Sequence, residues 1–310
     1  QTILFLTSSN NTSTNSVMKH AYLIIAHNEY PVLETLVSMI DDERNDIYLH
    51  IDLRSTELYK RARLLCTQKA RLFLLPIRNK VYWGDISQVE TEYLLLETAF
   101  KQNTYAYYHL LSGVDLPIQT QDYIHSFFQI NSGKEFVSYW LGDKHQKDLN
   151  RKISRYYFFT KSLKRSNSRW HIITAPCHNL ALIIQKLIRF HRKQEVEFKK
   201  GPNWFSITQD FCQYLIEKKS FVLQRFKYTL CPDEIFLQTI LWNSPFKENI
   251  YKANEDDAGN MRLVDWNRGN PYTWQSQDYN ELIASDKLFA RKFSSKEREL
   301  IEQIKTIYAD

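Results

Sequence analysis

Residues 20–52 read HAYLIIAHNEYPVLETLVSMIDDERNDIYLHID, and this stretch decides the fold. It opens with His20–Ala26, a short apolar run rich in β-forming residues, and closes with a second such run at Asp46–Ile51. Between them, Val32–Ile40 repeats apolar residues at helical spacing, and Pro31 can open that helix at its first turn. A strand, a helix and a strand in this order predict two parallel strands joined by a right-handed crossover.

The same alternation continues along the chain. We predict helices at Ser55–Cys66, Gln88–Gln102 and Asp122–Asn131, and strands at Ala70–Leu75, Tyr107–Leu111 and Phe136–Tyr139. Strands that alternate with helices predict an α/β domain with a mostly parallel sheet. Ligands of such sheets lie beyond the carboxyl ends of the strands, which is where His27, Asp52 and Ser112–Pro117 fall.

The second half of the chain is less regular. We predict helices at Pro176–Lys200, Asp210–Lys218, Pro232–Trp242 and Ser294–Tyr308, and a strand at Trp204–Ile207. No repeat or low-complexity linker interrupts the pattern, so residues 18–310 are expected to form one domain, with halves at 18–141 and 142–310. Residues 1–17 join a short apolar run to a Ser/Thr/Asn tract, and we expect a disordered leader or an added extension there.

Composition narrows the functional classes. Aromatic residues make up 14% of the 310 residues, which favours either an aromatic-rich core or stacking on sugar rings. The four cysteines lack the spacing of a zinc site, and so few cysteines are more typical of the cytoplasm than of a secreted protein. No run of about 18 apolar residues occurs, so no transmembrane helix is predicted.

The net charge is +6, and its densest cluster runs from Lys144 to Arg169. Two interpretations of this cluster remain open: a solvated face, or a contact with a membrane surface or an anionic ligand. The chain carries no RNA-binding signature, so nucleic acid is not an expected partner.

Glu234 is the strongest candidate for a catalytic residue. It stands in Cys231-Pro232-Asp233-Glu234, where Pro232 at the first helical position predicts Glu234 as the third residue of a helix. The positive end of a helix favours an ionised carboxylate, which can act as a general base. The alternative is an ordinary acidic residue in a first helical turn, where carboxylates are common.

Two cations near the end of the chain form a second candidate group. Arg262 lies in a predicted strand, MRLVDW (261–266), and Lys292 lies between aromatic residues in FARKF (289–293). Fixed cations can stabilise the charge of a leaving diphosphate, as a divalent metal does in other proteins; alone, either could be a surface cation. No Asp-x-Asp pair is present for a metal, and Glu90-Thr91-Glu92 is expected on a solvated helix face.

Eight segments together resemble the core-2/I-branching β-1,6-N-acetylglucosaminyltransferases, a group that includes the peptide O-xylosyltransferases. In chain order they are HAYLIIAHN (20–28), YLHID (48–52), VYWGDISQVETEYLLL (81–96), YYHLLSGVDLPI (107–118), GPNWFSIT (201–208), CPDEIFLQTIL (231–241), MRLVDW (261–266) and FARKF (289–293). Each segment alone is weak, but the eight in this order cover nearly the whole chain.

The resemblance implies a single GT-A-like domain with a Rossmann-like nucleotide-sugar-binding sheet. It implies inverting transfer from a UDP-sugar to a glycan hydroxyl, with neither metal nor cofactor. By match to the family's motifs, Glu234 is the expected base, and Arg262 and Lys292 are the expected diphosphate contacts. His27 and Asp52 are expected at the nucleoside, and Asp115 and Trp204 at the donor sugar or the acceptor.

UDP-GlcNAc is the donor that the resemblance favours. UDP-xylose and UDP-glucuronate are alternatives on the same scaffold, and a non-catalytic module that binds glycan or nucleic acid is a third. Unlike the animal members, this chain has few cysteines and no predicted membrane anchor. We therefore expect a bacterial, cytoplasmic member that acts in surface polysaccharide synthesis, with peripheral contact to the inner face of the membrane and an acceptor that can be lipid-linked.

Overall fold

The computed structural model describes residues 19–163 and 171–308. In this part of the chain the strands are β1 (His20–Ala26), β2 (Asn45–Ile51), β3 (Arg71–Leu74), β4 (Tyr107–Ser112), β5 (Asp115–Pro117), β6 (Phe136–Val137), β7 (Phe205–Thr208), β8 (Arg262–Val264) and β9 (Phe289–Arg291). The helices are α1 (Tyr30–Met39), α2 (Thr56–Ala62), α3 (Ser87–Gln102), α4 (Gln121–Ile130), α5 (Asp143–Ile153), α6 (His171–Leu187), α7 (Gln209–Glu217), α8 (Lys219–Phe226), α9 (Phe236–Trp242), α10 (Tyr279–Ile283) and α11 (Arg298–Tyr308).

A six-stranded sheet forms the centre of the fold, in the order β3-β2-β1-β4-β7-β6. Strands β1 to β4 are parallel, which confirms the predicted α/β class and its first β-α-β unit. Strand β7 is antiparallel to both β4 and β6. The sheet is therefore mixed at one end, and a strand from residues 142–310 lies between two strands from residues 18–141.

Both faces of this sheet are covered. Alternate residues of β1 point into different cores: Tyr22 and Ile24 pack in the cluster that includes α1, α4 and α11, while Ala21 and Leu23 pack in the cluster that includes α3, α7 and α9. Strands buried on both faces are almost wholly apolar, and this explains why β1 could be predicted from sequence. The two cores make one α/β domain of three layers.

A second sheet, in the order β5-β9-β8, was not predicted as a sheet, although β8 lies within the strand predicted at residues 261–266. Strands β5 and β9 have three residues each, which is too short for a periodic pattern to emerge. Strand β5 begins three residues after β4 ends, so this small sheet continues from the carboxyl end of the large one.

Two further predictions were wrong. Helix α6 ends at Leu187, so the predicted helix over Pro176–Lys200 covers too much chain. Glu92 does not lie on a solvated face, because α3 packs between the sheet and α7 and leaves this side chain 1% exposed. Burial raises the pKa of Glu92 well above its usual range, and neither carboxyl oxygen has a partner among the described residues.

Residues 1–17 and the 164–169 part of the basic cluster lie outside the described residues. Across 19–163 and 171–308, none of the helices combines the length and the apolar character that crossing a bilayer requires.

Candidate active site

The carboxyl ends of β1 and β2 lie side by side and carry His27 and Asp52. The backbone N–H of Asp52 donates to the carbonyl of Ala26, and the Ser55 hydroxyl donates to the carbonyl of His27 at 2.7 Å. His27, Arg54 and Ser55 line a pocket of about 370 Å³ at this edge. Desolvation in the pocket lowers the pKa of His27; Asp52 opposes this, and the charges of Arg291 and Arg54 add to it.

The Asp52 carboxylate is hydrogen-bonded to neighbouring groups of the protein. It accepts hydrogen bonds from Arg54 Nε at 2.9 Å, Arg54 Nη2 at 2.6 Å and the Val81 backbone N–H at 2.9 Å. Burial opposes ionisation of Asp52, but these hydrogen bonds outweigh it and lower the pKa. The guanidinium of Arg54 in turn lies 4.6 Å from the centre of the Tyr82 ring. Asp52 thus orients Arg54 and the loop at residues 79–83.

Arg291 joins two of the predicted residues and was itself missed by sequence reasoning. Its Nη1 donates to Asp115 Oδ1 at 2.7 Å and to the Ser112 hydroxyl, and its guanidinium lies 4.5 Å from the centre of the Trp204 ring. Asp115 also accepts from the Ser112 N–H at 2.7 Å. The available signal was its place in FARKF, directly before Lys292.

Lys292 follows at the end of β9 and is half-buried. Its backbone carbonyl accepts from the Trp274 N–H at 3.0 Å, and its N–H donates to the Tyr272 carbonyl at 3.3 Å. Among the described residues its ammonium group has no hydrogen-bond partner. Arg291 and Lys292 are therefore two successive cations at the end of β9, and Arg291 contacts Asp115.

The structure places Arg262, the predicted diphosphate contact, in the interior of the protein. The residue is 5% exposed, and its guanidinium donates to the Ser206 hydroxyl at 2.9 Å and the Phe205 carbonyl at 2.8 Å. One face of the guanidinium lies 4.7 Å from the centre of the Phe289 ring. Burial lowers the pKa of Arg262 to about 9, which still leaves it charged at neutral pH. Arg262 is therefore a buried support beneath β7 and β9.

Glu234 lies at the end of a 3₁₀ turn, Pro232–Glu234, and not at the third position of an α-helix, because Ile235 breaks the helical path before α9. The positive charge near the Glu234 carboxylate comes from two lysines and not from the end of a helix, as was predicted. Lys152 Nζ is 2.9 Å and Lys200 Nζ is 3.3 Å from Glu234 Oε2, and both lysines also contact Asp148. The side chain of Glu234 is 25% exposed.

These contacts leave one carboxylate oxygen of Glu234 available. Both lysines contact Oε2, while Oε1 has no partner in the described part of the chain. Although burial opposes it, the charge of Glu234 raises the pKa of Lys152. The neighbouring Asp233 is 7% exposed, and burial raises its pKa, so it is the poorer candidate for an ionised base.

The loop Gly201–Trp204 connects the Glu234 group to the Arg291 group. The N–H of Gly201 donates to the Glu234 carbonyl at 2.9 Å, and Trp204 stacks on Arg291 at the other end of the loop. A side chain at position 201 would bring its Cβ within 2.0 Å of the Ser138 carbonyl oxygen. Only glycine fits there, so the loop holds the two groups in a fixed relation.

A pocket of about 360 Å³ is lined by Lys200, one of the two lysines that contact Glu234. Trp140 and Trp242 line it, and Lys200 lies 4.7 Å from the centre of the Trp140 ring. Aromatic faces with a few polar groups around them suit a sugar ring. Within 19–163 and 171–308, no group of three or more His, Cys, Asp or Glu side chains is arranged to hold a metal.

Comparison with known proteins identifies the family to which this chain belongs. The model of the Core-2/I-Branching enzyme family matches residues 20–291. The chain is 25% identical over 307 residues to xylosyltransferase 2 of Rattus norvegicus, covering 90% of this chain and 32% of that protein. It is 22% identical over 308 residues to xylosyltransferase 1 of Canis lupus familiaris, covering 89% of this chain and 29% of that protein. The chain thus spans about a third of the length of these relatives.

Among solved structures, the apo form of mouse xyloside xylosyltransferase 1 is similar at 9% identity and a TM-score of 0.38, over 88% of this chain and 96% of that one. The family match extends over most of the chain and includes β1 to β9. The resemblance drawn from the eight sequence segments is confirmed, and the chain belongs to the core-2/I-branching enzyme family.

Proposed function

We propose that this protein is an inverting, metal-independent glycosyltransferase that moves a sugar from a UDP-sugar to a glycan hydroxyl. The observation that carries the proposal is the arrangement around Glu234. One oxygen of its carboxylate is held by two lysines, the other has no partner among the described residues, and one of the two lysines, Lys200, lines an aromatic pocket. The Gly201–Trp204 loop connects this group to Arg291, the residue before Lys292.

In the proposed reaction, Glu234 Oε1 removes the proton from the acceptor hydroxyl. The hydroxyl oxygen forms its bond to C1 of the donor sugar while the bond from C1 to the diphosphate oxygen breaks on the opposite face. The anomeric centre inverts, and the electron pair leaves with UDP. Lys152 and Lys200 hold the carboxylate in position through Oε2, which leaves Oε1 to act as the general base.

Arg291 and Lys292 are the cations we assign to the leaving diphosphate, in place of the sequence-based choice of Arg262. Positioned cations stabilise charge that develops in the transition state without help from a metal. Arg291 is already held in place by Asp115 and Trp204, so little reorganisation is needed. Asp115 then acts at the donor side through Arg291, and Trp204 shapes the boundary between donor and acceptor.

We place the nucleoside in the pocket lined by His27, Arg54 and Ser55. Asp52 supports this pocket by orienting Arg54 rather than by offering a free carboxylate. The acceptor sugar is assigned to the Trp140 and Trp242 pocket. An acceptor hydroxyl bound there approaches Glu234 from the side of Lys200.

The donor has three candidates, of which two are favoured by separate arguments. GlcNAc follows from the sequence resemblance, and xylose is favoured by the names of the similar proteins in rat and dog. Turnover of UDP-GlcNAc, UDP-xylose and UDP-glucuronate in EDTA separates them. Activity that requires added Mn²⁺ would refute the metal-independent assignment. A role in surface polysaccharide synthesis at the cytoplasmic face of a membrane is our proposal for the cellular context.

Glu234→Gln tests the base. It keeps the shape of the side chain and removes the basic oxygen, so we expect UDP binding to persist and turnover to fall by about 10²–10⁴. Glu248→Gln is the matched control, because Glu248 also lies in a 3₁₀ turn and is exposed. Near-normal turnover of Glu234→Gln would remove Glu234 from the mechanism, and UDP binding without turnover in the wild type would favour a binding module.

A further inference from the structure

Helix α6 (His171–Leu187) presents its apolar side chains to solvent. Six of them form what we call the α6 stripe, and each is between 47% and 76% exposed. The members of the stripe are Ile172, Ile173, Leu180, Ile183, Ile184 and Leu187. A helix on the surface of a globular protein normally turns such residues toward the core, whereas α6 turns them toward solvent.

Helical geometry makes the stripe continuous. Ile173, Leu180 and Leu187 are spaced seven residues apart, which is about two turns, so they follow one another along a single face. The other three members lie on either side of this line. Since large exposed apolar surfaces are rare on monomeric proteins, the stripe indicates a surface that is covered during function.

The opposite face of α6 attaches the helix to the protein through polar contacts. Gln185 donates to the Tyr156 carbonyl at 2.9 Å and accepts from the Tyr156 N–H at 2.8 Å. The Thr174 hydroxyl donates to the Ser162 hydroxyl at 2.7 Å, and His178 is buried against the Phe158 carbonyl. These bonds fix the rotation of the helix, so the stripe cannot turn inward without breaking them.

The charge around the stripe points to its partner. Residues 171–194 include four basic residues and no Asp or Glu. Lys186 and Arg189 are exposed near the carboxyl end of α6, and Lys161 is exposed near its start, while the exposed Lys193 beyond the helix pairs with Glu195 at 3.9 Å. An apolar helix face with a basic margin and too little apolar character to span a bilayer is typical of helices that lie in the interface of an anionic membrane.

We propose that α6 docks this protein on an anionic lipid bilayer, with the α6 stripe inserted among the acyl chains and the basic side chains at the headgroups. The attachment of α6 also connects it to the candidate active site. The segment that receives α6 directly follows α5, whose Lys152 pairs with Glu234, and Thr160 in this segment donates to Asp85. Docking therefore brings the acceptor side of the protein near the membrane surface.

The experiment is flotation of the full chain with phosphatidylcholine vesicles that contain or lack phosphatidylglycerol. We expect binding to the anionic vesicles, weakened by salt because the basic residues contribute electrostatically. Changing Ile173, Leu180 and Leu187 together to Glu should reduce the partition coefficient by about 100-fold, since apolar burial is lost and charge is added. Leu64→Glu with Ile130→Glu is the control, because these side chains are 78% and 83% exposed outside α6.

UDP binding and hydrolysis of a free UDP-sugar should be unchanged in the triple variant, so failure of docking and failure of the proposed transferase reaction are measured separately. Absence of wild-type binding to anionic vesicles at low salt would refute the proposal. Equal binding of the triple variant would also refute it. A wild-type dimer in sedimentation velocity that the triple variant converts to monomer would instead assign the stripe to a second copy of the chain.

Discussion

Acid should destabilise this protein through a group of buried histidines, and His125 allows the effect to be isolated. His125 is 9% exposed and stacks on His20 with the ring centres 4.0 Å apart. Its Nε2 is 2.9 Å from Asn45 Oδ1, so a neutral ring that carries the Nε2 proton satisfies this contact. Burial lowers the pKa of His125 to about 4, with Arg44 adding to the effect while Asp42 opposes it.

The sign follows from proton linkage. The unfolded chain takes up a proton at His125 near the ordinary pKa of 6.5, whereas the folded protein does so only near about 4. The neutral ring therefore contributes to the stability of the fold above about pH 6.5, and this contribution is lost as the pH falls toward about 4. The difference corresponds to about 3 kcal/mol in full, of which about 2 kcal/mol is lost between about pH 7 and about pH 5.

His125→Gln keeps a donor for Asn45 and removes the titration. The free energy of unfolding of wild type and variant should be measured by urea denaturation at both pH values. Because all other titrating groups are shared, the advantage of the wild type should shrink by about 2 kcal/mol at the lower pH. His191→Gln, at an exposed position, is the control. Its free energy of unfolding should differ from that of the wild type by the same amount at both pH values. An advantage for the wild type that is independent of pH would refute the reasoning.

Three further predictions concern the site and its frame. Gly201→Ala should lower the free energy of unfolding, measured by thermal denaturation, by about 3 kcal/mol or more and should reduce turnover, because the new Cβ would lie 2.0 Å from a carbonyl oxygen. The control is Gly133→Ala, where nothing lies within 4 Å of the new Cβ. It should cost only about 1 kcal/mol, because φ is positive there. Lys152→Met should destabilise the fold by about 2 kcal/mol in chemical denaturation, since a lysine that is 7% exposed leaves Glu234 short of a partner, and an unchanged midpoint would show that Lys200 suffices alone. Burial raises the pKa of Glu135 to about 7, so its contribution to stability is present below 4.5 and is lost as the pH rises through about 7. Glu135→Gln should therefore gain about 1 kcal/mol relative to the wild type between about pH 6 and about pH 8, and no relative gain would contradict this.

The part of the fold that could be predicted from sequence is the part buried on both faces. In the β-α-β unit at residues 20–51, the two strands are almost continuously apolar, and the apolar residues between them recur with the helical period of about 3.6. Only the order strand, helix, strand fits this pattern. The stretch that contains β8 could be predicted as a strand, but its pairing with β9, and that of β9 with β5, could not. Local pattern carries no information about such pairing.

The candidate site divides in the same way. Glu234 could be selected because its segment has a recognisable sequence, but the lysines that hold it come from α5 and from residue 200, far away in the chain. Our proposal of Arg291 in place of Arg262 as a diphosphate contact rests on burial, which spacing does not reveal. Glu92 was misjudged for the same reason, since one turn of a helix contains both solvated and buried positions.

Arg262 nevertheless bears on the site, and its burial explains how. A chain of polar contacts crosses the core from His20 to His109, from His109 to Ser206 and from Ser206 to Arg262. Each of these contacts pairs two buried polar groups, while Arg262 Nε has no partner among the described residues. Removal of a single member of such a buried network leaves its partners unpaired at a cost of about 1–3 kcal/mol. Arg262 also binds the carbonyl of Phe205, the residue directly after Trp204. The guanidinium therefore holds the start of β7 next to Trp204, the ring on which Arg291 rests, so Arg262 supports the position of Arg291 from within the core.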